Sequence, residues 1–298
     1  MTRVAPGSVR AVTADAVAFE TYRAHLLGVG YRITGSLADA EDAVQEAWLR
    51  FAAQDVDVID EPRAWLTTVV GRLCLDRLRS AAVRRERYVG PWLPEPLVTT
   101  PGDDDPLAVV VRDEGVRMAA MLVLERLSPP QRVSFVLHDA LDLPFGRIAE
   151  VLDCSEATAR QHASRARRIV AQADVPPRAT DAEQQTVLAA FAEALAGADT
   201  DRIVALLHPD VVMLTDSGGK ASAARRPIVG PADVSRLLLG LLRKYGNGLA
   251  TGWTPVVVNG ELGVRTEAVG KAPASVAVLS ITNGRIRSVF QVVNPDKL

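Results

Sequence analysis

The sequence predicts a multidomain chain: two all-α helical domains joined by a proline-rich linker, then an α+β domain built on a curved antiparallel sheet. Three observations carry this. Apolar residues recur at helical spacing over the first 88 residues and again from Val109 to about Ala173. Between them, "YVGPWLPEPLVTTPGDDDP" (Tyr88–Pro106) holds five prolines, two glycines and three consecutive aspartates, which no helix or central strand survives. Beyond Asp181, after two helical stretches, short β-like runs and turn signals take over.

Size and charge set the outer bounds. A chain of 298 residues is long enough for two or three cored domains, and 48% hydrophobic with 23% charged residues describes a globular protein rather than a disordered one. The formal net charge is −2, so any nucleic-acid binding must come from local patches. Cys74 and Cys154 lack metal-ligand spacing and read as small buried thiols in a reducing cytoplasm, a lone disulfide being less supported. No signal-peptide core and no run of about 18 apolar residues occurs, so the expectation is a cytoplasmic protein without a membrane partner.

The first domain is expected over 15–87, after a tail at 1–14. In "DAEDAVQEAWLRF" an apolar stripe of Ala40, Val44, Ala47, Trp48 and Phe51 opposes a face carrying Asp39, Asp42 and Glu46, with Glu41 and Gln45 beside it. Tyr31 to Glu61 holds eight acids against two arginines, whereas Pro62 to Tyr88 holds seven arginines against two acids. Such a reversal suggests two surfaces with different partners, or simply two solvated helix faces of opposite sign. Pro62 can open the helix "PRAWLTTVVGRLCLDRLRSAA", whose Trp65, Leu66, Val69, Leu73, Asp76 and Arg77 share helical spacing.

The linker at 88–108 is not bland: Trp92, Leu93 and Leu97 sit in a polyproline-prone segment, and apolar groups there usually dock on something. The second helical domain, 109–173, ends in "FGRIAEVLDCSEATARQHASRARRIV". Ile148, Ala149 and Leu152 face inward, "DCS" turns, Ser155 caps, and Glu156 suits the positive end of the next helix. That helix presents Thr158, Arg160, Gln161, His162, Ser164, Arg165, Arg167 and Arg168. In a helix-turn-helix the first four would lie nearest the bases, and Arg165, Arg167 and Arg168 nearest the phosphates. A basic surface hairpin is the competing reading.

A second proline-rich joint at 174–182 precedes the α+β domain, 183–298. Asn283-Gly284 between apolar runs signals a hairpin. His208, Asp210, Asp216 and Tyr245 are the acid–base candidates, though His208-Pro209-Asp210 reads as a helix end and Tyr245 to Gly248 as a loop.

Taken together, "DAEDAVQEAWLRF", "RAWLTTVVGRLCLDRLRS" and "LSPPQRVSFVLHDALDLPFGRIAEVLDCSEATARQHASRARR" resemble, in that order, regions 2.2, 2.3–2.4 and 4 of the bacterial extracytoplasmic-function sigma factors. "PWLPEPL", "FAEALAGADTDRIVALLHPDVVMLTDSGGK" and the terminal "NPDKL" resemble the subgroup with a C-terminal SnoaL-like extension, an NTF2-like cone. The resemblance implies two partners, core RNA polymerase (β′ clamp helices and β flap) and promoter DNA. Asp39, Glu41, Asp42, Gln45 and Glu46 would dock on the clamp helices. Arg63, Arg72, Arg77, Arg79, Arg84 and Arg85 would neutralise −10 phosphates, with Asp76 a reader or a positioning group and Trp65 a stacking platform or core residue. The helix from Thr158 to Arg168 would read the −35 element.

Arg72 stands where the family commonly has Asn, and His162 where it commonly has Arg, so generic promoter sequences are not expected. The extension would regulate through intramolecular contacts with the sigma domains, for which Trp92, Pro94, Leu97, Asp216, Gly218, Gly219, Lys220, Asn294, Pro295, Asp296 and Lys297 are the candidate residues, its pocket leaving room for an unnamed small ligand. No cofactor or metal is expected. Competing readings are a one-component regulator with a ligand-sensing domain and, further off, an NTF2-like isomerase or hydrolase. The first leaves the acidic stripe without a purpose.

Overall fold

The computed structural model describes residues 6–54, 59–85, 88–99, 110, 114–173, 175–246 and 252–298, with the side chains of 6–18, 82–85 and 114 outside that description. Two compact units emerge. The first contains the described residues of 6–83, Val110 and 123–173; the second contains 88–99, 114–122 and the described residues from 175 onward.

In the first unit, α1 (Pro6–Thr34), α2 (Leu37–Ala52) and α3 (Pro62–Arg85) enclose Leu26, Val29, Ile33, Val44, Phe51 and Leu66, all at most 2% exposed. The stripe expected on α2 is mostly buried, while Trp48 stays half-buried with its ring 4.9 Å from Phe19. Gly35, at φ 71°, ends α1, and Ser36 caps α2 by accepting the Asp39 N–H at 3.2 Å. Helix α4 (Met118–Leu124) begins in the second unit and only its last two residues belong to the first, which also holds α5 (Pro129–Asp139), α6 (Phe145–Leu152) and α7 (Glu156–Ala171). Between α6 and α7, Asp153 adopts φ 53°, and Ser155 caps α7 by accepting the Thr158 N–H. Arg132 of α5 is 1% exposed; its Nε donates to the Arg32 carbonyl of α1 at 2.8 Å and its head pairs with Glu125.

The second unit sets α8 (Asp181–Ala196), α9 (Thr200–Leu206) and α10 (Pro231–Tyr245) on one face of a seven-stranded sheet, in the order β1-β4-β5-β6-β7-β2-β3. Its strands are β1 (Val98–Thr99), β2 (Leu207–Asp216), β3 (Ile228–Val229), β4 (Thr254–Val258), β5 (Glu261–Thr266), β6 (Ser275–Thr282) and β7 (Arg285–Val292). The sheet is mixed rather than antiparallel throughout: β2 and β7 run parallel. The polar stretch and α10 that follow β2 carry the chain away, and β2 pairs with β7, the last strand of the meander β4–β7. Asn259-Gly260 and Asn283-Gly284 turn the two hairpins with all four φ between 51° and 78°. Register shifts in β2 and between Ser280 and Ile281 mark bulges, which bend a sheet.

Three further expectations change. β2 already begins at Leu207, so His208 and Asp210 lie in an irregular strand opening, not a helix end. Tyr245 is the last residue of α10, an amphipathic helix with Pro231 in its first turn and Arg243 and Lys244 in its last. Both cysteines are free, but only Cys74 is buried; Cys154 lies in the exposed turn before Ser155 and is half-buried. Among the described residues no helix is long and apolar enough to cross a membrane, and no group of three or more His, Cys, Asp or Glu could hold a metal.

Candidate nucleic-acid interface

On α2, Glu41, Asp42 and Gln45 are exposed, and Asp39 and Glu46 half-buried. Glu46 is tied down by Arg50 at 2.6 Å and by Arg77 of α3 at 3.7 Å, so one predicted acid and one predicted DNA contact neutralise each other. The acids flank an aromatic groove that composition did not advertise, lined by Phe19, Arg23, Glu41, Val44, Gln45 and Trp48. Leu49, 61% exposed, lies on the same helix.

Along α3, Arg63, Arg72, Asp76 and Arg79 are exposed; the side chains of Arg84 and Arg85 lie outside the described residues. Trp65 is half-buried with its ring 6.0 Å from Phe51, on the core side of the helix. Arg72 donates from Nη2 to the Glu150 carbonyl of α6 at 2.9 Å, and Arg79 pairs with Asp76 at 3.6 Å. Arg63 reaches His25 Nδ1 at 3.2 Å. A guanidinium only donates, so that nitrogen accepts and Nε2–H is left to donate to Thr67 Oγ1 at 3.1 Å. Burial, then the Arg63 and Arg32 charges, hold His25 down at about 4, hence neutral.

On α7, small Ala159, Ala163 and Ala166 are buried, which turns Arg160, Gln161, Ser164, Arg165, Arg167 and Arg168 outward. Their freedom differs. Thr158 Oγ1 is bonded to Ser155 Oγ at 2.9 Å within the cap, Arg160 pairs with Glu156 and stacks over Phe145, and Arg167 pairs with Asp139. Among the described residues no ion pair holds Arg165 or Arg168. His162 is half-buried, with Nδ1 enclosed and unbonded; burial, then Arg165, lowers its pKa.

The second unit gathers the regulatory candidates around one carboxylate. Asp216 is fully buried. Its Oδ1 accepts from Tyr88 Oη at 2.5 Å and Gly218 N–H at 3.1 Å; its Oδ2 accepts from Leu93 N–H at 2.9 Å and Lys297 Nζ at 2.8 Å. The Lys297 ammonium also donates to the Leu93 carbonyl and sits 4.1 Å from the centre of the Trp92 ring. Asn294 Nδ2 donates to Tyr88 Oη at 3.0 Å, and Lys220 pairs with Asp296. Gly218 has φ 56°, and a Cβ there would meet Asn294 Nδ2 at 2.6 Å, so only glycine fits. Burial and the Asp216 charge push the Tyr88 phenol well up.

Leu93, Pro94 and Leu97 are buried, Trp92 half-buried, Pro295 and Gly219 exposed. Sequence reasoning missed Tyr88, Asn259 and the Arg117–Glu261 pair (2.8 Å, both nearly buried). Asn259 spans from Leu97 N–H to the Val116 carbonyl. Of the acid–base candidates, Asp216 is enclosed by four donors, His208 is bonded to Arg287 and the Asp210 N–H, and Tyr245 borders a cavity.

Residues 18–84 match the family model Sigma-70 region 2, and residues 117–170 match Sigma-70, region 4. Over 287 residues, 94% of this chain and 91% of the relative, the sequence is 50% identical to the ECF RNA polymerase sigma factor SigJ of Mycobacterium tuberculosis H37Rv. The chain belongs to the extracytoplasmic-function sigma factors. This sigma factor is also 35% identical, over 94% of its own length and 93% of the relative's, to the probable ECF RNA polymerase sigma factor SigI of that organism. The crystal structure of M. tuberculosis SigJ superposes with a TM-score of 0.79 at 47% identity, covering 95% of this chain and 97% of that one. The shared fold therefore includes the α+β half. As a member of this family the sigma factor works with core RNA polymerase and promoter DNA.

Proposed function

We propose a division of labour inside this cytoplasmic sigma factor. Glu41, Asp42 and Gln45, with Asp39 and Glu46 at their margin, dock on the basic β′ clamp helices of core polymerase; α4–α7 meet the β flap. Arg63, Arg72, Arg77 and Arg79 neutralise −10 phosphates, while Trp65 and Asp76 position α3 rather than read bases. Gln161, Ser164, Arg165 and Arg168 face the −35 element first. Thr158 and His162 shape the helix that carries them, and Arg160 and Arg167 engage once released from Glu156 and Asp139. The single observation behind this reading is the separation of charge: exposed acids on α2, exposed arginines on α3 and α7.

The fused domain serves regulation, not catalysis. Its Asp216 is fully engaged by donors from the linker, the following turn and the chain's last residues, which suits a clasp and not a base. Run-off transcription with reconstituted core polymerase tests the docking face. Glu41→Lys with Asp42→Lys is expected to lower polymerase affinity at least tenfold while leaving the folded protein intact by circular dichroism. Unchanged affinity overturns the assignment.

A further inference from the structure

Between α10 and the sheet lies a cavity of about 250 Å3, lined in part by Thr215, Leu241, Lys244, Tyr245, Ser275 and Gln291. It shares Leu241, Ser275 and Gln291 with a smaller apolar chamber walled by Phe191, Met213 and Trp253. Among the described residues no carboxylate lines either space. At the outer one, the groups that Lys244 Nζ touches among the described residues are neutral, Ser222 Oγ at 3.3 Å and the Tyr245 ring at 4.8 Å. Between charge and apolar floor runs a neutral polar row. Thr215 Oγ1 donates to Gln291 Oε1 and Gln291 Nε2 to Ser275 Oγ, each at 3.4 Å, and Ser275 Oγ is bonded to Thr266 Oγ1 at 2.7 Å. Bonds of 3.4 Å hold the Gln291 amide loosely, so it is open to a better partner.

We propose that this cavity binds a small amphipathic monoanion. Its flat apolar body fills the space against Leu241 and Trp253, its carboxylate faces Lys244, and the Gln291 amide bonds a polar atom between them. Size agrees, since the volume falls near the lower end of natural ligand pockets, and a cationic mouth over a neutral, apolar interior selects against cations and polyols alike.

The position gives such a ligand a consequence, which rests on the regulatory reading above. Successive strand residues face opposite sides of a sheet. Thr215, Gln291 and Val293 line the cavity, and their neighbours Asp216, Val292 and Asn294 face the side where Tyr88 and Leu93 are held. Val293 N–H also donates to the Asp216 carbonyl at 2.8 Å. A ligand that draws Gln291 or Thr215 inward thus acts on the backbone that carries the clasp.

The test uses full-length protein and a matched pair of probes, 1-naphthaleneacetate and its neutral amide, followed by calorimetry or ligand-observed NMR. The acetate is expected to bind saturably with one site and at least tenfold more tightly than the amide. Lys244→Met, a change at an exposed side chain, is expected to erase that difference, and Leu241→Trp to abolish binding of both. No saturable binding, equal binding of the two probes, or binding indifferent to Leu241→Trp overturns the proposal. Because binding is read directly, failure of the regulatory reading shows separately, as transcription unaffected by a saturating acetate probe that does bind.

Discussion

Asp216 and Lys297 meet where both are almost wholly out of water, so neither charge can be removed alone at little cost. Asp216→Ala strands the Lys297 ammonium, the Leu93 N–H and the Tyr88 hydroxyl together; roughly 3–5 kcal/mol is the usual scale for breaking a buried pair. A fall in the midpoint of chemical unfolding measures this, and Lys297→Met in the Asp216→Ala background is expected to recover part of it. His25 gives a prediction of the opposite chemistry. Its folded pKa of about 4 lies below the ordinary 6.5, so the unfolded chain binds more protons between those values. Stability is then fully present above pH 6.5 and is lost as pH falls toward 4. Melting temperatures recorded across that window should decline in the native protein, and less steeply in His25→Asn. His25 drew no notice from spacing alone, because desolvation is a property of what surrounds a side chain.

Helix α7 shows how much an element reveals about itself. Ser155, Glu156 and the alanines at 159, 163 and 166 are local signals, and they set both the start of α7 and the face it buries. Asn283-Gly284 was equally legible, since the turn needs positive φ at both residues and nothing remote. What local patterns could not supply was pairing. The β2 run reads the same whether its neighbour lies parallel or antiparallel, and "DVSRLLLGLLRKY" went unread as a helix between a polar stretch and the β-like runs that follow it. The candidate site divided likewise: the residue types on α7 were visible, but the engagement of Arg160 and Arg167 by Glu156 and Asp139 depends on folded neighbours. Two expected outcomes follow for α7. Gln161→Ala should cost about 1–3 kcal/mol on the cognate −35 duplex and relax specificity at one base pair. Arg168→Ala should weaken binding to all sequences and lower the salt slope by about one, as read from affinities over a salt series.

Across the molecule, the described part of the first proline-rich stretch, 88–99, proves to be part of a core. Leu93 and Leu97 are fully buried, and Met118 packs with Leu93, Val258, Val278 and Phe290 on the sheet face opposite α8 and α9. Deleting the α+β domain from about Thr180 onward would therefore uncover apolar groups the remainder has no means of hiding, and such a truncation is expected to aggregate. Trp92→Ala is the gentler probe: it removes the ring beneath Lys297 and leaves Leu93 in place. In run-off transcription it should differ from the native protein by several-fold, and equal activity would remove the linker from the regulatory account.

The clasp also has a schedule. Tyr88 and Asn294, which share a hydrogen bond, lie 206 residues apart in the chain. At about 5–20 residues per second, a ribosome completes the second partner roughly 10–40 s after the first. Helix α3 is already made when that interval opens and α7 is made within it, so each newly synthesised copy passes through a period in which its linker is unheld and its Leu93 and Leu97 are uncovered. The age of a molecule, and not only its ligands, thus sets whether the linker is fastened.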